Sequence, residues 1–464
     1  MNLNKNVFRE YDVRGIADTD FSGDFSFNLG KAFASYIIES KLGYSLAVSG
    51  DVRPSTERIK KEFIKGALST GLNIVDIGTI PTPVNYFANY KNIDVDASVQ
   101  ITGSHNPSEY NGFKFTLKKE SFFGDKIKEL YNIIKDERYH FIDGGSDALG
   151  TLKIVDIIPS YIEDIIGRIK INRKMKVVMD CGNAAGCIVA PEIFKKLNID
   201  LEEMYCDVDG KFPNHHPDPT VDSNLSSIVD RIKQGDFDLG VAYDGDADRV
   251  VCIDSNGNIV RSDILMCIFV KDILKKVDNK KIIYDVKCSS ALRDVIVHEG
   301  GEPVEWKTGH SLIKSKMKSE KSSFGGEMSG HIFFADDYYG YDDAVYVSLR
   351  LIEILSNTNS SLFDLVSEIP KYFSTPELRF ECISDQEKFN IMSNLKDSLS
   401  NKYSCSTIDG IKVFVDDGWG LLRASNTQPV IVCRIEAKSQ ENLENIKKIL
   451  SFNLSKYKGI KFEL

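Results

Sequence analysis

The chain has 464 residues, of which 42% are hydrophobic and 27% are charged. At roughly 150 residues per domain this length predicts about three domains, and the composition excludes collagen-like, disordered and disulfide-scaffold proteins. The 58 basic and 68 acidic residues give a formal net charge of −10. This charge argues against a nucleic-acid groove or an anionic membrane surface covering much of the protein, so any basic site must be local.

The first 14 residues lack the apolar core of a signal peptide, and no segment approaches the roughly 18 apolar residues of a membrane span. We therefore expect a cytoplasmic protein with no membrane or nucleic-acid partner. Nine cysteines without a CxxC pair indicate buried free thiols rather than disulfides or a zinc site. The sequence leaves the oligomeric state open between monomer and dimer.

A similar order of elements occurs three times along the chain. An apolar strand ends at an acidic residue in the segments 46–51, 176–180 and 281–285. Helices are predicted next, over 58–69, 189–197 and 291–299, and are followed by a second strand and a loop rich in Pro, Gly or His. A third strand then ends in a polar cluster, which reads TGSH (102–105), DGDADR (244–249) or GEMSGH (326–331).

This alternation predicts an α/β fold with three related mixed-sheet domains, in which ligands bind beyond the carboxyl ends of the strands. From about residue 375 the pattern changes to that of a C-terminal α+β domain, with strands over 377–383, 410–415, 420–423 and 430–437. Helices are predicted there over 386–399 and 441–450. We expect four domains around a central cleft, with the boundaries 1–152, 153–253, 254–369 and 370–464.

Ser104 follows an apolar strand and precedes the turn that Asn106 and Pro107 favour. We expect it to be exposed at the tip of this loop, where taken alone it is typical of a solvated turn. On extended backbone Ser104 and His105 point apart and cannot form the base–nucleophile pair of a triad. The absence of a GxSxG sequence also disfavours a hydrolase.

Asp244, Asp246 and Asp248 alternate after an apolar strand. On extended backbone such residues share one face, so their carboxylates can converge on one hard cation. An EF-hand is excluded because Arg249 and Ser255 occupy its glycine and glutamate positions. Three carboxylates with open positions suit Mg²⁺ that also holds a phosphate oxygen; the alternative is an acidic solvated turn.

Three further segments carry polar groups of possible function. The loop RASNTQP (423–429) places a guanidinium beside hydroxyls and backbone N–H groups, as a phosphate cradle would. Lys114 alternates with Phe113 and Phe115, so it faces the Ser104 side if the two rings are buried, and is otherwise a surface lysine. The residues of the third cluster are suited to hydrogen-bonding sugar hydroxyls; the alternative is a turn whose polar groups are all hydrogen-bonded within the protein. Those residues are Glu327, Ser329 and His331.

A hydroxyl nucleophile, a metal loop, a polyhydroxyl loop and a phosphate loop together indicate phosphoryl transfer on a sugar phosphate. Eight motifs occur in this order along the chain: FREYDVRG (8–15), TGSHNP (102–107), NGFK (111–114), FPNHHPDP (212–219), DGDADR (244–249), KTGH (307–310), GEMSGH (326–331) and RASNT (423–427). Together they resemble the motifs of the α-D-phosphohexomutase family. Within it they are similar to the bacterial phosphomannomutase/phosphoglucomutase branch. The resemblance covers essentially the whole chain.

The resemblance implies a role for each motif. It implies that Ser104 carries a phosphoryl group in the resting enzyme and shares Mg²⁺ with Asp244, Asp246 and Asp248. Arg14, His105, Lys114 and Arg249 would line the serine side, and either His331 or Lys114 would be the general base. The implied substrate-binding residues are Tyr11, Lys287, His310, Glu327, Ser329, Arg423, Ser425, Asn426 and Thr427.

The implied reaction interconverts hexose 1-phosphate and hexose 6-phosphate through a hexose 1,6-bisphosphate intermediate, which also serves as activator. The sequence of the Glu327 loop favours glucose and mannose phosphates as substrates, because phosphoglucosamine mutases usually carry Gln in place of Met328. A phosphoglucosamine or phosphopentose mutase is the alternative. A non-catalytic sugar-phosphate sensor is a more remote one, since fold alone does not fix function.

Overall fold

The computed structural model describes residues 3–91, 93–141, 149–425 and 429–464. The chain divides into two compact units. The first unit runs up to Leu265 and also contains Ser329–Ser367, whereas the second contains Met266–Met328 and Glu368–Leu464. Among the described helices, none has the length and apolar character needed to cross a bilayer.

The first unit begins with a mixed sheet whose inner strands are parallel. Its strands lie in the order Val13–Ile16, Tyr110–Leu117, Ala97–Ile101, Ser45–Gly50, Asn73–Thr79 and Leu152–Ile154, with Glu120–Phe122 paired to Tyr110–Leu117. The helices of this part are Lys5–Val7 (3-10), Ala17–Asp20, Gly23–Glu39, Thr56–Leu68, Thr82–Ala88 and Asp125–Lys135. The predicted strand 46–51 and helix 58–69 are confirmed with small shifts of their ends.

A second sheet of the same unit again mixes parallel and antiparallel pairs. Its strands lie in the order Ile259–Val260, Val250–Asp254, Leu239–Tyr243, Lys176–Asp180 and Asp200–Met204. The unit also contains the strand Ile332–Phe334, which does not belong to this sheet. The helices here are Ile158–Arg168, Ala185–Ile188 (3-10), Ala190–Lys196, Asp222–Leu225 (3-10), Ser226–Gln234, Ala344–Ser356 and Leu362–Ser367. The predicted strand 176–180 is confirmed at both ends.

The second unit contains a parallel sheet and an antiparallel one. In the parallel sheet Lys281–Asp285 lies between Glu302–Trp306 and Phe324–Gly326. The antiparallel sheet has the order Ser404–Ser406, Ile411–Val415, Gly418–Ala424, Val430–Ala437, Leu378–Cys382 and Ile460–Lys461, with Phe373–Ser374 paired to Val430–Ala437. The helices are Ser290–His298, His310–Glu320, Asp385–Ser400 and Gln440–Leu454, and Ser262–Ile273 contains the unit boundary at Leu265. The predicted C-terminal α+β pattern is therefore confirmed.

The acidic residues predicted at strand ends have a common structural role in both units. Asp51 accepts hydrogen bonds from the hydroxyl of Thr102, at 2.7 Å, and from the backbone N–H of Gly103, at 3.2 Å. Asp285 accepts from the hydroxyl of Thr308, at 2.9 Å, and from the N–H of Met328, at 3.1 Å. In both cases a carboxylate at one strand end holds the loop that comes after another strand.

Two glycines allow the helices Gly23–Glu39 and Thr56–Leu68 to pack with their backbones in contact. A Cβ added to Gly30 would collide with the backbone carbonyl of Phe63, and one added to Gly66 would collide with that of Phe27. Both helices pack in one hydrophobic core with the two strands that flank the Ser104 loop, so their close packing supports the base of that loop.

We predict that Gly66→Ala destabilises the protein by about 1–3 kcal/mol, because backbone atoms must move to admit the methyl group. Urea unfolding of the full chain measures this change. The matched control is Gly167→Ala, another glycine inside a helix, whose added Cβ would meet nothing within 4 Å. There the higher helix propensity of alanine should leave stability unchanged or raise it by up to about 1 kcal/mol. Equal stability of the two variants would contradict the packing argument.

Candidate active site

Ser104 lies in the turn between the strands Ala97–Ile101 and Tyr110–Leu117. Its φ angle of 49° is in the left-handed region, and the residue is only 2% exposed. The prediction of an exposed serine is therefore wrong. The reason is a neighbouring loop, in which Gly245 lies so close to the Ser104 carbonyl oxygen that a Cβ would not fit.

The expectation that His105 points away from the serine is also wrong. Ser104 Oγ lies 3.4 Å from His105 Nδ1, because the positive φ of Ser104 removes the extended geometry on which that expectation depended. Burial and the positive charges of Arg249 and Arg14 lower the pKa of His105 well below its usual value. The imidazole is therefore neutral, with one nitrogen that donates a hydrogen bond and one that accepts.

Asp244, Asp246 and Asp248 are buried, and oxygens of all three lie within 4.8 Å of one another. The predicted convergence is thus observed, but its predicted cause is wrong, because the backbone is a turn with Ala247 at a φ of 56°. The N–H groups of Asp248 and Arg249 both donate to Asp244 Oδ1 at 3.1 Å. These bonds hold the Asp244 carboxylate within the turn, so the turn, rather than strand alternation, brings the three carboxylates together.

The serine hydroxyl and a lysine both contact this acidic cluster. Ser104 Oγ donates to Asp244 Oδ2 at 3.0 Å. Lys114 Nζ lies 2.6 Å from Asp246 Oδ2 and 2.5 Å from Asp248 Oδ2. Since the neighbours of Lys114 along the strand, Phe113 and Phe115, are buried in the hydrophobic core, the prediction that Lys114 faces the serine side is confirmed.

Electrostatics sets the ionisation of these groups. Burial and the charges of Asp248 and Asp246 raise the pKa of Asp244 well above its usual value. Burial also opposes ionisation of Asp246, but the charge and hydrogen bond of Lys114 outweigh it and lower the pKa of Asp246. Burial disfavours the charged form of Lys114 as well, yet the two aspartates raise its pKa above the ordinary value.

The residues present fit a divalent cation. In the part of the chain that the structure describes, Asp246 Oδ1 and Asp248 Oδ1 are buried and have no hydrogen-bond partner. Lys114 and Arg249 are the cations that contact the three carboxylates, which leaves one net negative charge in a buried site that a hard cation would neutralise. Oxygen donors are the ligands that Mg²⁺ prefers.

Two arginines and a histidine surround the acidic cluster. Arg14 donates to the carbonyl of Gly103 at 2.9 Å. Arg249 Nε donates to His331 Nε2 at 2.9 Å and lies 3.9 Å from Asp244 Oδ2. His331 Nδ1 lies 2.9 Å from Asp342 Oδ2. Because Nε2 accepts from the arginine, the imidazole proton is at Nδ1, facing the carboxylate.

In the second unit, the predicted sugar-binding and phosphate-binding loops are joined by hydrogen bonds. The N–H of Gly309 donates to the Glu327 carboxylate. Asp409 Oδ2 accepts from the N–H of Thr308 at 3.0 Å and from Arg423 Nε at 2.9 Å. Asp409 therefore fixes the guanidinium of Arg423 against the Thr308–Gly309 turn.

Lys287, predicted to contact substrate, forms an ion pair with Glu377 in which the charged atoms are 2.9 Å apart. Both side chains are largely buried. The Lys287 charge is the main cause that lowers the pKa of Glu377 to about 2, against the smaller opposing effect of burial. The sequence drew no attention to Glu377, because a single acidic residue before a strand carries no motif.

The remaining predicted residues are distributed over both units. Tyr11 and Ser329 are half-buried in the first unit, and His310 is half-buried at the start of the helix His310–Glu320 in the second. Ser425 is buried, and its carbonyl accepts a hydrogen bond from Lys388 Nζ at 2.7 Å. Asn426 and Thr427 lie outside the described residues.

Three residues that contact the site were not predicted from the sequence motifs. Thr82 donates to Asp246 Oδ2, Asp342 faces His331, and Arg53 donates to the carbonyl of Ser104 at 2.7 Å. The DVRPS sequence around Arg53 comes directly after the first predicted strand end, which was the available signal. A contact to a backbone carbonyl 51 positions away leaves no side-chain pattern to detect.

We predict that Glu377→Gln lowers the free energy of unfolding by about 1–3 kcal/mol at neutral pH, because it removes the ionised partner of buried Lys287. The Glu377 pKa is about 2 in the folded chain and 4.5 in its reference state. Its stabilisation is therefore present above about pH 4.5 and is lost as the pH falls toward 2.

Urea unfolding at several pH values from 3 to 7 tests this. The difference between wild type and Glu377→Gln should shrink as the pH falls. Glu381→Gln, on the exposed side of the adjoining strand, is the control and should change stability little at any of these pH values. If the difference in the free energy of unfolding between wild type and Glu377→Gln stayed constant with pH, the charge-based explanation would be refuted.

Four family models match the chain in order. They describe phosphoglucomutase/phosphomannomutase alpha/beta/alpha domain I at residues 5–140, domain II at 159–257, domain III at 261–373 and the C-terminal domain at 367–451. The observed sheets and helices agree with this division into three α/β domains and a C-terminal domain, as the sequence predicted.

Curated relatives and solved structures agree with these matches. A phosphomannomutase/phosphoglucomutase of Pseudomonas putida is 39% identical over 454 residues, which are 97% of this chain and 96% of the relative. A phosphoglucomutase of Neisseria meningitidis is 37% identical and covers 96% of both chains. The crystal structure of a phosphoglucomutase/phosphomannomutase family protein from Burkholderia thailandensis has a TM-score of 0.91, at 36% identity over 97% of each chain. The chain therefore belongs to the phosphoglucomutase/phosphomannomutase family.

Proposed function

We propose that the protein interconverts hexose 1-phosphates and hexose 6-phosphates through a phosphorylated Ser104 and a hexose 1,6-bisphosphate. The observation that carries this proposal is the contact of Ser104 Oγ with Asp244, 3.0 Å away, beside two further buried carboxylates and Lys114. A serine hydroxyl next to a cation site is suited to holding and releasing a phosphoryl group.

In the forward half-reaction a sugar hydroxyl attacks the phosphorus of phosphoserine. The bond from phosphorus to Ser104 Oγ breaks and a bond to the sugar oxygen forms. The sugar hydroxyl gives its proton to a base, and the released Ser104 oxygen takes up a proton to become a hydroxyl again. His331 and Lys114 are the two candidates for that base. Lys114 is held as an ammonium by Asp246 and Asp248, so it would first have to lose a proton, and His331 would have to release the hydrogen bond that its Nε2 accepts from Arg249. After the bisphosphate turns over, its other phosphoryl group returns to Ser104, so no phosphate is consumed.

Each group near Ser104 has a role in this scheme. Asp244, Asp246 and Asp248 would hold Mg²⁺, which supplies positive charge to the transferring phosphoryl group. Arg249 and Arg14 would add to that charge from the protein, as groups already oriented before the reaction. His105, with its lowered pKa, would stay neutral beside the phosphoryl group and add no full charge to it.

Residues of the second unit would bind the rest of the substrate. We assign the sugar hydroxyls to Glu327, and to Ser329 of the first unit. The phosphate that does not react is assigned to Arg423, Ser425, Asn426 and Thr427, of which the first two lie among the described residues. Lys287 and His310, with Tyr11 of the first unit, complete the proposed set.

Glucose and mannose phosphates are the proposed substrates. The loop sequence Glu327–Met328–Ser329 supports this choice over glucosamine phosphate, and so do the names of the relatives. We also propose four domains with the boundaries 1–152, 153–253, 254–369 and 370–464. We further propose that the protein is located in the cytoplasm.

We predict that Ser104→Ala lowers hexose phosphate mutase turnover by more than about 10³-fold, because the phosphoryl carrier is lost. The assay supplies Mg²⁺ and a trace of hexose 1,6-bisphosphate, with glucose, mannose and glucosamine 1-phosphates in parallel. Wild type should turn over the glucose and mannose substrates comparably. A glucosamine preference would keep the mechanism and overturn the substrate choice, whereas an unimpaired Ser104→Ala would overturn the mechanism.

We also predict that Asp246→Asn weakens binding of Mg²⁺ or Mn²⁺ by at least about tenfold, because it removes one charge of the carboxylate set. Mn²⁺ titration followed by electron paramagnetic resonance measures this directly, without activity. Asp230→Asn, at an exposed position of the helix Ser226–Gln234, is the control and should bind the cation like wild type. Unchanged affinity in Asp246→Asn would exclude this residue as a ligand.

A further inference from the structure

Arg53 is a buried arginine, 2% exposed, whose guanidinium lies under the Ser104 loop. Its Nε donates to Asp51 Oδ2 at 3.0 Å. Within the described residues its two terminal nitrogens donate to four backbone carbonyls, three in the Ser104 loop and one at the first residue of the strand that follows it. Those carbonyls are Ser104 at 2.7 Å, Asn106 at 2.6 Å, Tyr110 at 3.1 Å, and Pro107.

These contacts use the donor capacity of arginine completely. A guanidinium has five N–H groups in a planar fork, and here five acceptors surround it. A lysine has three donors and no fork, so it could satisfy at most three of these acceptors. The site therefore requires arginine for its shape and not only for its charge.

The contacts also explain how Ser104 keeps an unfavourable backbone conformation. A non-glycine residue at a φ of 49° is stable only where its surroundings impose it. Arg53 binds the Ser104 carbonyl from one side, and Gly245 of the Asp244 loop packs against the same oxygen. The direction of the Ser104 side chain toward Asp244 thus depends on where Arg53 holds the main chain.

Arg53 is itself held in place by its surroundings. The ring of Phe212 lies over the guanidinium, with the central carbon 5.0 Å from the ring centroid, an arrangement that favours a cation. A Cβ added to Gly103 would collide with the guanidinium, and one added to Gly210 would collide with the backbone of Val52 and Arg53. These contacts leave the guanidinium little freedom to move.

We propose that Arg53 is a positioning residue that sets the geometry of Ser104 for phosphoryl transfer. The proposal rests on the proposed function, because it assumes that Ser104 carries the phosphoryl group. Arg53 does not touch substrate in this proposal. It acts through the loop backbone, so its loss should slow the transfer step and leave substrate binding by the second unit nearly unchanged.

The test compares Arg53→Lys with Arg350→Lys in the full-length protein. Arg350 is also buried, and it donates to both oxygens of Asp336, at 3.1 and 2.9 Å, far along the chain from the Ser104 loop. Dephosphorylated protein is mixed with glucose 1,6-bisphosphate and Mg²⁺, and phosphorylation of Ser104 is followed by intact mass. Steady-state kcat and KM are measured below the unfolding temperature of each variant.

We expect Arg53→Lys to slow Ser104 phosphorylation and kcat by on the order of 10²-fold, the size of effect that a misplaced reacting group produces. KM should stay close to wild type. Arg350→Lys should lose comparable stability and keep the wild-type rate of phosphorylation. A wild-type rate in folded Arg53→Lys would overturn the proposal, and so would equal slowing in both variants, since that is a general effect of destabilisation.

A second variant covers the case in which Arg53→Lys does not fold. Phe212→Leu keeps the five hydrogen bonds and removes the ring over the guanidinium. We expect it to slow phosphorylation a few-fold with an unchanged KM, and an unchanged rate would count against the proposal. If the wild-type protein acquires no phosphoryl group on Ser104, the proposed function fails. If wild type and Arg53→Lys are phosphorylated at the same rate, the proposed function stands and only the role of Arg53 fails.

Discussion

The mutual repulsion of Asp244, Asp246 and Asp248 is the constraint on which the candidate active site depends. Three carboxylates buried together cannot all be ionised unless positive charge or donors surround them. The chain supplies Lys114 from a neighbouring strand, the Ser104 hydroxyl and the N–H groups of its own turn. Charge is still not balanced, so the preformed site costs stability that a divalent cation would restore. The same repulsion draws the serine hydroxyl to the point where a phosphoryl group would meet the cation.

A site made of loops must be held rigidly if it is to keep this geometry, and carboxylates at strand ends do this in both units. Asp51 binds the start of the Ser104 loop, and Asp285 binds the turns at Thr308 and Met328. Each carboxylate is buried and bonded to groups from separate segments, so neither loop can shift without leaving a buried acceptor unsatisfied. These two strand ends, both recognised in the sequence, are thus structural supports for the polar clusters rather than members of them.

Features that depend on local pattern could be predicted from the sequence. Apolar periodicity located the strand Lys176–Asp180 and the antiparallel C-terminal segment, and the alternation around Lys114 predicted which way it faces. Prediction failed where distant segments decide the conformation. Ser104 is buried because Gly245 packs on its carbonyl, and its left-handed φ brings His105 close. Asp409 and Glu377 were missed for the same reason, since each is a single acidic residue that contacts a distant segment, at Thr308 for Asp409 and at Lys287 for Glu377.

In the second unit, two cations proposed to bind the phosphosugar already have carboxylate partners. Lys287 contacts Glu377 and Arg423 contacts Asp409. Because the pKa of Glu377 is about 2, this partner stays ionised at any physiological pH, and a phosphate arriving at Lys287 must share it with a negative charge. Affinity is thereby reduced, but the cation is held in a fixed position before binding. The bisphosphate intermediate must reorient so that its two phosphates exchange positions. Moderate affinity with fixed geometry suits this step better than maximal affinity, because a phosphate bound too tightly could not leave its site.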